Sequence, residues 1–166
     1  MLAKEEILKQ IKRGRIKIEP FNEKAIGPVS VDLTLHNEFG IIKSKKIELT
    51  ENLDYKKYVK LVKADKITLR PNDFILGITK EKITLPDNIA GHLSGRSKFA
   101  RAGLLVHATA PLIHPGVSNK TVFEIKNISK NTLVINANMR IGQISFYEVK
   151  GKAKYDGTFK SQESLK

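Results

Sequence analysis

Short runs of apolar residues recur along this chain from residue 29 onwards, and clusters of turn-forming residues separate them. The run from Val29 to Leu35 sets the pattern, because its apolar and polar side chains alternate as they do in a half-buried β-strand. Further runs of strand character are Ile41–Ile42, Ile47–Leu49, Ile67–Leu69, Phe74–Thr79, Lys82–Leu85, Ile89–Leu93, Leu104–His107, Thr121–Ile125, Leu133–Ile135 and Ile141–Tyr147. Many short strands at near-regular spacing predict a β-barrel or a β-sandwich.

The N-terminal segment departs from this pattern. Residues 4–13 predict a short helix, since Ile7, Leu8 and Ile11 share one face and Gly14 can provide a left-handed cap. The charged stretch 51–66 predicts a loop with a turn of helix. A length of 166 residues fits one domain with a real core, which we place at residues 1–150. Residues 151–166 are polar and glycine-spaced and predict a flexible C-terminal tail that a ligand would order.

Composition excludes several classes of function. No apolar run approaches the roughly 18 residues that span a bilayer, and the N-terminus lacks the apolar core of a signal peptide. We therefore expect a cytoplasmic protein with no membrane partner. The chain has no cysteine, which removes disulfides, thiolate nucleophiles and cysteine zinc sites. No two of its four histidines stand at i, i+4 spacing, so a metalloprotease-type zinc helix is absent and we expect no structural metal.

The formal net charge is +13, and most of the excess is lysine. Such a surface attracts anions, among them nucleotides, nucleic acids and acidic membranes. The alternative is a lysine-rich solvated surface of the kind seen in heat-adapted proteins. The lysines are scattered and are not interleaved with aromatic residues as a single-strand nucleic-acid groove requires, so we expect no nucleic-acid partner.

The segment from Gly95 to Arg101 contains two arginines, Arg96 and Arg101, and a serine, Ser97. Guanidinium forks bind phosphate oxygens, a serine hydroxyl donates to oxygen, and glycine lets a ligand approach the backbone. This composition indicates a phosphate-binding site. The alternative is two ordinary surface arginines on a turn.

Three other segments are candidates for function. Glu124 follows Phe123 in an apolar strand, where a carboxylate could act as an acid/base group; an outward-facing residue on a half-exposed strand is the alternative. The stretch from His107 to Gly116 predicts a hairpin with Pro-Gly turn chemistry. The segment Lys154–Gly157 offers a cation and an aromatic ring that could close over a ligand, although a disordered basic tail fits it as well.

The order of these motifs resembles the dCTP deaminases of the dUTPase-like superfamily. The blocks that carry the resemblance are Gly14–Phe21, Pro28–Leu33, Arg96–Arg101, Val106–Ala110, Ile113–Gly116, Glu124 and Met139–Gln143. Together they cover nearly the whole chain. The resemblance implies a mainly β fold, a distorted β-barrel (dUTPase-like β-clip) with a short N-terminal helix. It also implies a homotrimer with active sites between subunits.

The implied reaction is hydrolytic deamination of dCTP to dUTP and ammonia, for pyrimidine deoxynucleotide synthesis, without zinc. By resemblance, Glu124 takes a proton from the water that attacks C4 and returns protons to ring N3 and the leaving amine. Ser97 and the backbone near Ala110 would hold the water and amine, and Arg101 would position Glu124. Magnesium would be carried by the triphosphate. The implied catalytic residues are thus Glu124, Ser97 and Arg101, and the implied nucleotide-binding residues are Arg96, Ser97, Lys98, Arg101, Ala110, His114, Val122, Phe123, Glu124, Gln143, Lys154, Tyr155 and Thr158.

Some residues depart from the family pattern. His114 stands where the family often has an aspartate, and the matching aspartate of dUTPases activates water at the α-phosphate. Its absence here argues against strong dUTPase activity, whereas Glu124 favours deamination. Val117, Lys98 and Thr158 also replace more frequent residues. The alternatives left open are a dUTPase or bifunctional dCTP deaminase/dUTP diphosphatase, and a non-catalytic nucleotide-binding protein. Preference among dCTP, dCDP and dCMP, and inhibition by dTTP, also stay open.

Overall fold

The computed structural model of the chain describes residues 1–165. Within them lie two short helices and eleven β-strands: α1 (Lys4–Lys12), β1 (Lys17–Glu19), β2 (Val31–Ile42), β3 (Val59–Lys63), β4 (Lys66–Leu69), β5 (Phe74–Thr84), β6 (Ile89–Gly95), α2 (Ser97–Ala100), β7 (Leu104–Leu105), β8 (Leu112–Ile113), β9 (Ser118–Asn127), β10 (Leu133–Asn136) and β11 (Arg140–Glu148). The prediction of a mainly β fold with one N-terminal helix is confirmed. No helix among these residues is long and apolar enough to cross a membrane.

Nine strands form one sheet in the order β7-β9-β5-β2-β11-β6-β8, with β1 added to β5 and β3 added to β2. All the strand pairs are antiparallel, and β4 and β10 form a separate two-stranded ribbon. The sheet curls around one main apolar core, in which Phe39, Phe123 and Phe146 are fully buried. Because successive strand residues face opposite ways, the residues of β9 that alternate with Phe123 face away from this core.

Helix α1 closes one side of the core. Ile7 is fully buried, Glu5 and Glu6 lie in the first turn, and Lys9 and Lys12 lie in the last, as the helix dipole favours. The predicted left-handed cap is confirmed, because Gly14 has φ of +68°.

Several predicted elements are wrong in detail. Ile47–Leu49 is not a strand, and the Leu49 side chain is 80% exposed. The first long strand begins at Val31, since Val29 is exposed and outside the ladder. The stretch 51–66 contains a 3₁₀ turn (Tyr55–Tyr58) followed by strand β3. The predicted strands 74–79 and 82–85 are one bulged strand, β5. Local alternation does not reveal which strands find partners, and pairing decides these outcomes.

The predicted hairpin between His107 and Gly116 is also wrong. Strand β7 pairs with β9 and strand β8 pairs with β6, so the residues between β7 and β8 form a crossing loop. This loop, residues 106–111, spans from one part of the curled sheet to the other. It therefore brings Thr109 and Ala110 over the outer face of β9.

The C-terminal segment, defined here as residues 151–165, lies against the chain's own sheet. The Tyr155 N–H donates to the Pro115 carbonyl at 2.9 Å, and the Ser118 N–H donates to the Lys160 carbonyl at 2.9 Å. The Leu165 side chain is only 1% exposed. The mobility expected of this segment stays a prediction, while the structure defines its contacts.

Candidate functional site

One cavity of about 370 Å³ is lined by several polar residues, among them His107, His114 and Glu124. It lies between the outer face of β9, the loop before β8, the 3₁₀ turn at Tyr55 and the C-terminal segment. Its lining residues are Tyr55, Leu76, Leu93, His107, Ala110, Leu112, Ile113, His114, Val117, Asn119, Lys120, Thr121, Val122, Glu124, Tyr155, Phe159 and Gln162. A cavity of this size, mostly apolar with a few polar groups, is typical of a small-molecule site.

Glu124 is fixed in this cavity by Thr109. The Thr109 backbone N–H donates to Glu124 Oε2 at 2.7 Å, and the Thr109 hydroxyl donates to the same oxygen at 2.8 Å. Within residues 1–165, Oε1 of Glu124 accepts no hydrogen bond. One oxygen is therefore held by protein donors while the other can accept a proton from a ligand or a water molecule.

His114 and Tyr155 form a second wall of the cavity. Their rings are stacked with centroids 4.9 Å apart and planes inclined by 6°. Gly116 permits this close approach of the C-terminal segment, because it has φ of +79° and a Cβ there would lie 2.9 Å from Lys154 Cγ. The stacked pair gives the cavity a flat aromatic part in the same lining as Glu124, of the kind on which planar ligands pack.

Several buried polar atoms of the lining have no hydrogen-bond partner within residues 1–165. They are Nδ1 and Nε2 of His107, Oδ1 of Asn119 and Oγ1 of Thr121. Buried polar groups are nearly always paired in folded proteins, with protein, water or ligand. Each of these atoms is itself shielded from solvent, so they mark polar groups within the cavity wall and not groups exposed to a ligand.

A separate group of charges surrounds Asp32 on β2. Arg96 Nε lies 3.1 Å from Asp32 Oδ1, and Arg140 Nη1 lies 3.6 Å from Asp32 Oδ2. Arg96 also donates from Nη1 to the Arg140 carbonyl at 3.0 Å. We call these three residues the arginine cluster. It holds Arg96, the residue that precedes helix α2, in one orientation.

Gln143 lies beside this cluster. In the register of the sheet it stands between Asp32 on β2 and Ser94 on β6. Its Nε2 donates to the Gly95 carbonyl at 3.3 Å, and its Oε1 accepts from the Ser30 hydroxyl at 2.9 Å. Gln143 is thus already engaged in hydrogen bonds that join the end of β6, just before α2, to the residue that precedes β2.

The structure divides the predicted site residues between these places. Ala110, His114, Val122, Glu124 and Tyr155 line the cavity. The remaining predicted site residues do not line the cavity; they are Arg96, Ser97, Lys98, Arg101, Phe123, Gln143, Lys154 and Thr158. Ser97, Lys98 and Arg101 are exposed on and after α2, and the Phe123 side chain is fully buried in the core. Any contact of Phe123 with a ligand is therefore made by its backbone.

Sequence reasoning missed three features of the site. Thr109 stood in a recognised motif but had no assigned function, although a hydroxyl residue in a crossing loop can reach a neighbouring carboxylate. Asp32 was part of another motif and was given no function. Its negative charge in a strongly basic chain was the available signal that it pairs with arginines. Asn119 carried no signal, since an amide on a strand is usually exposed. Among residues 1–165, no three His, Asp or Glu side chains are grouped to hold a metal ion.

Solved structures share this fold. The 2'-deoxycytidine 5'-triphosphate deaminase from Agrobacterium tumefaciens aligns with a TM-score of 0.71 at 18% identity, over 90% of this chain and 47% of that one. The present chain thus spans about half the length of that protein. A dUTPase from phage phi11 of S. aureus aligns with a TM-score of 0.53 at 14% identity, over 87% of this chain and 97% of that one. The curled sheet therefore places the chain in the dUTPase-like β-barrel fold class.

Sequence comparison narrows this class. Residues 1–149 match the dCTP deaminase-like domain model, and the chain belongs to the dCTP deaminase-like family. A Marinomonas sp. (strain MWYL1) protein named dCTP deaminase is 37% identical, with 92% of this chain and 85% of that protein covered. A Beutenbergia cavernae protein named "dCTP deaminase, dUMP-forming" is 33% identical, with 93% and 82% covered. The family predicted from the motifs is confirmed.

Proposed function

We propose that this protein is an enzyme that deaminates dCTP by hydrolysis, releasing ammonia and dUTP. The observation that carries the proposal is the pair of Thr109 donors on Glu124 Oε2, in the lining of a cavity large enough for a small molecule. Because both Thr109 donors bind Oε2, Oε1 is left to accept a proton from a water molecule in the cavity. Membership of the dCTP deaminase-like family supplies the substrate class.

In the proposed mechanism, Glu124 Oε1 accepts a proton as water oxygen forms a bond to C4 of cytosine. Glu124 passes this proton to ring nitrogen N3, which gives a neutral tetrahedral intermediate. It then takes the second proton from the new C4 hydroxyl and transfers it to the amine. The C4–N4 bond breaks as the C4 carbonyl forms, ammonia leaves and the carboxylate is regenerated. Thr109 keeps the carboxylate in one rotamer throughout, so little reorganisation accompanies the proton transfers.

Magnesium fits the proposal only as a companion of the phosphates. The residues that the structure describes provide no group of three carboxylate or imidazole ligands, so triphosphate oxygens would hold the ion. Bound in that way, it would neutralise phosphate charge. The chain's own basic residues, Arg96 among them, would orient the rest of the triphosphate.

We further propose a homotrimer in the cytoplasm. Ser97, Lys98 and Arg101 are exposed and do not line the cavity of their own chain. A symmetric assembly would let α2 of one subunit complete the cavity of the next, since closed rings are built from such heterologous contacts. Sedimentation analysis of the purified protein tests the trimer. The Ser97→Ala protein and the Glu124→Gln protein can also be mixed so that their subunits exchange. Recovery of deaminase activity in the mixture would show that two subunits share one site.

A second candidate is a bifunctional enzyme that also releases pyrophosphate and forms dUMP. The relatives named dUMP-forming, at 31–33% identity, favour it. His114, in the place where an aspartate activates water in dUTPases, opposes it. A non-catalytic nucleotide-binding protein is the third candidate, supported by the charge of +13.

One assay separates the three candidates. The protein is incubated with dCTP and, separately, with dUTP, each with magnesium, while ammonia and pyrophosphate are followed independently. Ammonia alone from dCTP supports the deaminase. Pyrophosphate from either nucleotide supports the bifunctional enzyme, and binding without either product supports the non-catalytic protein.

A further inference from the structure

The C-terminal segment ends in a small apolar cluster on the outer face of the sheet. Leu165 packs there with Leu76 of β5 and Ile78 of β5, and all three are buried. This outer cluster is separate from the main core. The partly buried side chains around it belong to Tyr55, Val59, Leu61 and Val122. Two of these surrounding residues, Tyr55 and Val122, also line the cavity, so the cluster and the cavity share a wall.

A buried carboxylate completes this attachment. The Leu165 N–H donates to Glu38 Oε1 at 2.7 Å, and Glu38 on β2 is only 8% exposed. A carboxylate that accepts a backbone N–H forms one of the stronger kinds of hydrogen bond. The end of the described chain is thus fixed both by apolar burial and by a charge-assisted hydrogen bond.

Between Leu165 and the cavity, the segment follows the free edge of β9. The N–H groups of Ser118 and Lys120 donate to the carbonyls of Lys160 and Gln162 at 2.9 and 2.8 Å, so the two stretches run in the same direction. Asn119 Nδ2 donates to the Phe159 carbonyl at 2.6 Å. The segment is therefore attached to the strand that carries Glu124.

The other end of the segment forms part of the cavity. Tyr155 stacks on His114 and donates its N–H to Pro115. A Cβ at Gly157 would lie 2.2 Å from Tyr155 Oη, so the ring packs directly on the backbone that follows it. The backbone that packs against the Tyr155 ring thus belongs to the same segment that Leu165 attaches to the sheet at its far end.

We propose that Leu165 and Glu38 are positioning residues for the candidate active site: they hold the C-terminal segment on its own subunit, so that the Tyr155 wall of the cavity exists before any nucleotide binds. This differs from a tail that becomes ordered only around its ligand. The effect on structure is independent of the reaction, whereas the effect on catalysis rests on the proposed function.

Hydrogen exchange of the nucleotide-free protein tests the structural part. We expect the Tyr155 amide to be protected in the wild type and to exchange at least about tenfold faster in Leu165→Ala, because the truncation removes the buried side chain. Leu165→Met conserves the volume, so its exchange should stay within about threefold of wild type. Exchange that accelerates only at residues 163–165, or a wild-type Tyr155 amide without protection, overturns the proposal.

Glu38 provides an independent pair of variants. Glu38→Gln retains a carbonyl oxygen for the Leu165 N–H and should preserve protection at Tyr155, whereas Glu38→Ala removes the acceptor and should reduce it. Equal exchange at Tyr155 in the two variants contradicts a positioning role for Glu38. Melting curves accompany each variant, and the Glu38 pair decides the matter if Leu165→Ala does not fold.

Steady-state kinetics with dCTP test the consequence for the site. Since Tyr155 is proposed to bind nucleotide and not to transfer protons, Leu165→Ala should raise KM at least about fivefold and leave kcat within about threefold. A fall in kcat at unchanged KM contradicts this assignment. If the wild type releases no ammonia, the proposed function fails, while the exchange results still decide whether Leu165 positions Tyr155.

Discussion

Thr109 donates two hydrogen bonds to a single oxygen of Glu124, one from its backbone and one from its hydroxyl, at 2.7 and 2.8 Å. The two residues are brought together because a crossing loop, and not a hairpin, connects β7 to β8. This arrangement separates the two carboxylate oxygens into one that is held and one that is available. Substitutions at either residue should therefore affect the chemical step before they affect the fold.

Replacement of Glu124 by glutamine should abolish deamination. The amide can still accept hydrogen bonds from Thr109, so the fold and the cavity should be preserved, but it cannot take a proton from water. We expect kcat to fall by at least about a thousandfold, within the range attributed to general acid–base catalysis. Nucleotide affinity should stay within about tenfold, as measured by calorimetry. Glu148→Gln, at an exposed site at the end of β11, is the matched control. A loss of affinity as large as the loss of rate would refute the acid/base role.

Thr109→Val should retain the backbone hydrogen bond to Glu124 and lose the one from the hydroxyl. Because valine has nearly the same shape, the loop should remain in place. We expect kcat for ammonia release to fall about tenfold, the cost of one hydrogen bond to a charged group. Thr109→Ser, which restores the hydroxyl, should recover most of the activity. A serine variant as slow as the valine variant would show that the hydroxyl does not position Glu124.

Asp32→Asn should weaken the hold on Arg96. Asp32 is the carboxylate between Arg96 and Arg140, and its side chain is only 17% exposed. Without its charge, Arg96 loses its fixed orientation, so we expect KM for dCTP to rise about tenfold while kcat changes little. Asp65→Asn, at an exposed position, should leave both constants unchanged. A lower kcat at unchanged KM would mean that Asp32 serves the chemical step instead.

The sequence was informative where local pattern determines structure. Alternation located the first half of β2, short apolar runs located parts of β6, β9 and β11, and the order of motifs identified the family. The strand prediction was wrong at Ile47–Leu49, because this segment has strand character but no neighbouring strand to pair with. Strand formation depends on a partner distant in sequence, which no local pattern reveals.

The candidate site shows the same limit. Glu124 could be singled out as a lone carboxylate on an apolar strand, but its contact with Thr109 depends on how the loop crosses the sheet. The attachment of Leu165 to Glu38 joins residues separated by most of the chain. A polar, glycine-containing tail predicts mobility by composition, while one apolar residue near its end supplies the contact with the outer cluster.

The imidazole of His36 on β2 leads to a prediction about pH. Its Nδ1 is buried without a hydrogen-bond partner within residues 1–165. Burial lowers the pKa of His36 below its ordinary value, and the positive charge of Lys120 lowers it further, with smaller effects of the same sign from Lys80 and Lys63; Glu38 opposes them. The folded protein therefore favours the neutral ring.

Between the lowered pKa of folded His36 and the ordinary value of 6.5, the unfolded chain binds more protons than the folded one. The free energy of unfolding should consequently decrease as pH falls below 6.5 and level off once folded His36 is itself protonated. A single proton limits the slope to about 1.4 kcal/mol per pH unit. Denaturant unfolding at a series of pH values measures it. His36→Gln should flatten the profile over this window, whereas His92→Gln, at an exposed position on β6, should not. An unchanged profile in His36→Gln would assign the pH dependence to other groups.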